Sequence, residues 1–148
     1  MKLEIKYLAS YLPYGLNIKD VKHGSVFEAL HFITTPNQDF SLFKGNFDQL
    51  TNDKYLKPVL FPLSSLTKEI TINGETFVPI YKIYEFEQWD TDELEEIIND
   101  GTIEGIYNDL NLIPYSHAEK LFEWKFDVFG LIDAGLAEPV TNDFNPYK

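Results

Sequence analysis

Apolar residues recur along this chain at two spacings, one near 3.6 and one near 2, and the changes between them mark the expected elements. Leu3, Ile5, Tyr7, Leu8, Tyr11 and Leu12 predict a short N-terminal helix that Pro13 ends, because proline lacks the amide donor a continuing helix needs. Residues 16–20, 25–34 and 39–44 are separated by Lys22-His23-Gly24-Ser25 and Pro36-Asn37-Gln38, turn chemistry that predicts a three-stranded antiparallel meander. Lys57-Pro58-Val59-Leu60-Phe61-Pro62 is extended and apolar, and its two prolines assign it to a sheet edge or a connection. Asn73-Gly74, between Glu69-Ile70-Thr71-Ile72 and Thr76-Phe77-Val78-Pro79-Ile80, is the strongest hairpin signal, since a type I′ turn needs positive φ at both central positions.

Residues 80–86 alternate like a strand. Asp90, with Glu93 at capping-box spacing, then predicts a helix that buries Leu94, Ile97 and Ile98 and stops at Asp100-Gly101. A second capping box, Ser116 with Glu119, predicts a long helix over 116–132, with Gly135 closing the element. Only Glu119, Lys120, Glu123, Asp127 and Gly130 form its polar arc, so its apolar face is broad and Lys125 falls near the middle of that face. A lysine so placed must be paired or reach water along its stem. The remainder, from about residue 138, reads as a tail. The expected fold class is α+β: a single compact domain over residues 1–148, its meander and hairpin packed on the C-terminal helix.

Length and composition agree with one core. A chain of 148 residues with 44% apolar and 16% aromatic content is too hydrophobic for global disorder. With no cysteine, disulfides, thiolate metal sites and a cysteine nucleophile are excluded. No signal-peptide core or membrane-length apolar run appears, so a cytosolic location is expected. Twelve Lys and Arg against twenty-four acids, a formal charge of −12, disfavour direct binding to nucleic acid and to anionic membranes.

The acids are concentrated. Between Lys82 and Lys120 lie 37 residues with eleven carboxylates and no lysine or arginine. Asp90, Glu93 and Glu119 have capping or first-turn roles there. Glu85, Glu87, Trp89, Asp92, Glu95, Glu96, Asp100, Glu104 and Asp109 are the candidate partner-binding residues, negative charge beside an aromatic anchor. A solvated acidic face with inward-pointing aromatics is the competing interpretation. The expected partner is a basic host or phage protein, and the sequence does not fix an oligomeric state.

Catalytic and cofactor signals are weak. Asp90-x-Asp92 opens like a calcium loop, but Leu94 and Glu95 stand where an oxygen ligand and the turn glycine belong. His23, His31 and His117 are isolated, Ser64-Ser65 reads as a turn without a nucleophile elbow, and the eight glycines form no phosphate loop. No cofactor, metal site or catalytic residue is assigned.

Three segments resemble a family together: Leu8-Ala9-Ser10-Tyr11-Leu12-Pro13-Tyr14-Gly15-Leu16; Lys57-Pro58-Val59-Leu60-Phe61-Pro62-Leu63-Ser64-Ser65-Leu66-Thr67-Lys68-Glu69-Ile70, leading to Asn73-Gly74-Glu75-Thr76-Phe77-Val78-Pro79; and Phe122-Glu123-Trp124-Lys125-Phe126-Asp127-Val128-Phe129-Gly130-Leu131-Ile132. In that order they resemble small proteins encoded by phages and prophages of Bacteroidetes bacteria, a family with no assigned reaction. The family often has histidine where this chain has Lys125. The resemblance implies a phage context, and with the acidic block it sets the expectation of a non-enzymatic accessory protein that inhibits a host defence nuclease, anti-CRISPR-like, by occupying its nucleic-acid channel. A phage assembly module is the alternative, and a small enzyme the third.

Overall fold

The computed structural model describes residues 1–29, 50–85, 91–107 and 109–148. Strands β1 (Asn17–Asp20), β2 (Val26–Glu28), β3 (Leu56–Leu60) and β6 (Glu138–Pro139) form one sheet in the order β2-β1-β3-β6, antiparallel except for the parallel β3–β6 pair. A separate antiparallel hairpin joins β4 (Ile70–Ile72) to β5 (Glu75–Phe77). Helices α1 (Ile5–Leu8), α2 (Pro79–Glu85), α3 (Thr91–Asn99), α4 (Thr102–Tyr107) and α5 (Tyr115–Glu123) pack with these sheets in an α+β architecture, and residues 50–52 are also helical.

The hairpin turn follows directly from its residues. Asn73 and Gly74 have φ of 52° and 81°, the left-handed pair a type I′ turn demands. In the meander, β1 and β2 pair as expected, with Phe27 and Ala29 turned inward and Val26 and Glu28 outward. The remainder of the second expected strand and all of the third lie outside the described residues.

Several expectations are corrected. The N-terminal helix is only Ile5–Leu8, and Pro13 lies within a short 3-10 turn, Leu12–Tyr14, that ends at Gly15 with φ 77°. β3 is an inner strand: β1 covers one side, while β6 reaches Val59 and Leu60 only. Pro58 lies just before the β6 pairing begins, where its missing donor deprives no β6 partner. Residues 79–85 are helix α2, not strand. Pro79 takes the first helical position, where no amide donor is required, and Ile80 and Ile83 are buried at helical spacing.

The largest correction concerns 116–132. Helix α5 starts at Tyr115 after Pro114 without a side-chain cap, so Ser116 and Glu119 form no capping box, and it ends at Glu123. Its end is a Schellman motif: the Lys125 amide donates to the Phe122 carbonyl at 3.1 Å and the Phe126 amide to the Leu121 carbonyl at 2.8 Å. Lys125 occupies the left-handed position, φ 59°, where glycine is usual. The chain then turns to join the sheet. The Phe61 amide donates to the Lys125 carbonyl and the Asp127 amide to the Phe61 carbonyl, each at 2.8 Å. Asp127 next accepts from the amides of Leu131 (2.8 Å) and Ile132 (2.7 Å), fixing the turn that ends at Gly135.

Residues 138–148 are not a loose tail. Glu138 is bracketed by Lys19 at 3.3 Å and Lys57 at 3.6 Å, two lysines directly opposite one another on β1 and β3. The Tyr147 hydroxyl donates to the Val59 carbonyl at 2.6 Å and accepts from the Asn17 amide, while the Tyr147 carbonyl accepts from the Asn73 amide at 2.7 Å. The C-terminal segment thus ties the sheet to the hairpin. The core beneath holds Tyr11, Leu16, Ile18, Val59, Leu60, Leu121, Phe126 and Leu131, all without solvent exposure. The Phe77 and Trp124 rings meet at 5.0 Å, joining β5 to the end of α5.

Candidate interaction surface

Helix α3 carries the densest part of the acidic block. Asp92, Glu93, Glu95 and Glu96 are exposed while Leu94 is buried and Ile98 half-buried, the division that a 100° turn per residue imposes. Asp92, Glu95 and Glu96 fall within an arc of about 100°. Asp100 is exposed, and Gly101 follows it with φ 72°. Glu85 ends α2, exposed. Asp109 has local work after all, because one of its carboxylate oxygens accepts from both the backbone and side-chain nitrogens of Asn111 at 2.9 Å. Glu104 lies on α4. Glu87, Trp89 and the capping residue Asp90 lie outside the described residues.

Elsewhere Glu75 meets Lys82, Glu123 meets Lys120 and Glu4 meets Lys6, while the exposed Glu28, Glu69, Glu119, Asp133 and Asp143 make no ion pair among the described residues. Among the described residues, Glu85, Glu93, Glu95 and Glu96 have no such ion pair. Like charges spaced i, i+4, as Asp92 and Glu96 are, weaken a helix by roughly 0.2–0.5 kcal/mol. That spacing costs the helix, while Asp92 and Glu93 in its first turn suit its positive N-terminus.

Beside it runs an open groove of about 460 Å³, walled by Phe77, Val78, Tyr81, Tyr84 and Leu94, with Lys82 and Glu85 at its margin. Tyr81 is 42% exposed. Reading residues 80–86 as a strand concealed this feature. Residues 77, 78, 81, 84 and 85 follow the i, i+3, i+4, i+7 rhythm, the signal by which the groove wall could have been found.

Of the other candidates for chemistry, His31 lies outside the described residues. His117 is buried, its Nδ1 3.0 Å from the Tyr107 hydroxyl and its ring edge-on to Tyr84. His23 is exposed, with Nδ1 2.7 Å from Asp20, and this contact holds the Asp20 carboxyl below the usual carboxylate range. Lys125 is 5% exposed, with Nζ 5.0 Å from the centre of the Tyr147 ring. Burial lowers its pKa, opposed by the negative charge of Glu123 and Glu28. Among the described residues no group of three or more His, Asp or Glu is placed to hold a metal ion, and no helix is long and apolar enough to cross a membrane.

Comparison of the chain with protein-family models, with curated proteins and with solved structures finds no match.

Proposed function

We propose that this chain is a non-enzymatic binding protein whose acidic face, Glu85 together with Asp92, Glu95 and Glu96 of α3, meets a basic surface on another protein. The observation that carries the reading is the density of exposed carboxylates on α3 and at the end of α2, of which Glu85, Glu95 and Glu96 have no lysine partner among the described residues, so that a cation on another protein adds attraction. Taken with the resemblance to phage and prophage proteins, the setting is the cytosol of a bacterial host. The partner class is then a defence nuclease whose nucleic-acid channel supplies the basic surface, with carboxylates standing in for phosphates.

Partner capture from host lysate at low and physiological salt tests this. A basic protein retained at low salt, weakened by salt and lost on charge reversal of Glu85, Asp92, Glu95 and Glu96, supports the reading. No salt-sensitive basic partner, or one indifferent to the reversal, overturns it.

A second reading, an assembly module of phage origin, is favoured by one observation: Leu112 and Tyr115, at the entry to α5, are 72% and 82% exposed. Sedimentation as a stable oligomer that Leu112→Ser and Tyr115→Ser dissociate would favour it over the first.

A further inference from the structure

We infer that the groove between β5, α2 and α3 seats a cationic amphipathic segment of the partner protein. One large apolar side chain enters between Tyr81, Tyr84 and Leu94, while flanking Lys or Arg side chains reach Glu85, Glu93 and Glu95. The inference rests on the reading of the acidic face as a protein-binding surface and adds an apolar anchor to it.

Three features define the occupant. The groove's volume of about 460 Å³ falls in the range of about 300–1,000 Å³ typical of ligand-holding clefts. Its walls are apolar and aromatic, and Tyr81 among them is exposed. Its charged lining residues are Glu85 and Lys82, and the exposed Glu93 and Glu95 adjoin the lining residue Leu94 along α3. Lys82 does not offset these acids, because its Nζ is bound to Glu75 and lies 4.2 Å from the Phe77 ring centre. Nucleic acid and acidic peptides are repelled by such a rim, and a purely basic strand leaves the apolar walls wet. A segment that interleaves apolar and cationic residues at helical spacing satisfies both walls and rim.

The test uses labelled helical peptides of about fourteen residues and follows fluorescence anisotropy on the whole protein at low and physiological salt. The probes are a leucine–lysine amphipathic peptide, an oligolysine of equal charge and a leucine–glutamate amphipath. The leucine–lysine peptide should bind about tenfold more tightly than oligolysine, and the leucine–glutamate peptide should not bind. Tyr81→Ser, at an exposed position, should weaken the leucine–lysine peptide about five- to tenfold without changing the circular dichroism. Glu95→Gln should weaken it and flatten the salt dependence.

Equal binding of oligolysine, or indifference to Tyr81→Ser, overturns the groove inference. Loss of the captured partner on charge reversal with full retention on Tyr81→Ser overturns this inference alone and leaves the acidic-surface reading standing. Indifference of the captured partner to both overturns both.

Discussion

At Lys125 two demands meet in one residue. The backbone must turn left-handed to let the Phe126 amide close on Leu121, and the side chain must lie under protein with its amine against the Tyr147 ring. A left-handed conformation costs an L-residue about 1–2 kcal/mol that glycine does not incur. Lys125→Gly and Lys125→Ala both delete the stem, so their difference isolates the backbone. The glycine variant should be the more stable by about 1 kcal/mol in urea unfolding, and equal midpoints would refute the left-handed cap. Titration gives a second expectation at this scale. Burial raises the pKa of the Tyr11 and Tyr147 phenols above 10.0 and lowers that of Lys125 below 10.5. Just below pH 10.5 the unfolded chain binds more protons at Lys125, so that group makes stability rise with pH. Above pH 10 the folded chain retains phenolic protons that the unfolded chain releases, so each tyrosine makes stability fall by up to about 1.4 kcal/mol per pH unit. The two tyrosines outweigh the one lysine. Unfolding free energy should turn downward above about pH 10, and Tyr11→Phe should roughly halve the alkaline slope.

Among the elements, those set by local chemistry were legible in the sequence and those set by long-range closure were not. Asn73-Gly74 specified its hairpin because positive φ at both positions leaves few alternatives. Gly101 after Asn99 and Asp100 marked the end of α3 in the same way. Residues 80–86 misled because Ile80 and Tyr84, four apart, share a face at a 2-residue period as well as at a 3.6-residue one over so short a run, whereas Ile80 with Ile83 and Pro79 at the helix start were the discriminating signs. The apolar run from Leu121 to Ile132 looked like one helix because a C-cap without glycine is nearly silent. Its true organiser is Asp127, whose carboxylate replaces the helix by holding the Leu131 and Ile132 amides. The acid was assigned to a polar arc, yet it is 6% exposed. Asp127→Ala should therefore cost about 3 kcal/mol, because it leaves amides that need an acceptor without one. Asp127→Asn, which retains an acceptor oxygen, should cost about half as much. A loss under about 1 kcal/mol for the alanine variant, measured by denaturant unfolding, would show that these bonds do not organise the turn.

Over the whole molecule, charge is divided between two uses. The lysines that face the sheet serve the fold: Lys19 and Lys57 converge on Glu138, and Lys82 reaches Glu75 beside the Phe77 ring. The C-terminal segment adds Tyr147 and Asn145, which bond β1, β3 and the hairpin to one another. These three lysines are committed to holding the sheet and the hairpin, while Glu93, Glu95 and Glu96 of α3 have no lysine partner among the described residues in a chain already at −12. Stability and binding should then respond oppositely to the same change. Glu96→Lys sets a cation four residues after Asp92, in the favourable acid-before-base order, and converts a repulsive pair to an attractive one. It should raise unfolding free energy by roughly 0.5–1 kcal/mol at low salt, twice the single-pair magnitude, and the gain should shrink by about half at 0.15 M salt as screening sets in. The same substitution should weaken capture of a basic partner. For a solvated face the gain in stability comes with no loss of any interaction, whereas for a binding surface the two measurements move in opposite directions. A variant that is less stable at low salt would instead mean that Glu96 contributes to the fold, and the carboxylates of α3 would lose their claim to be held for a partner.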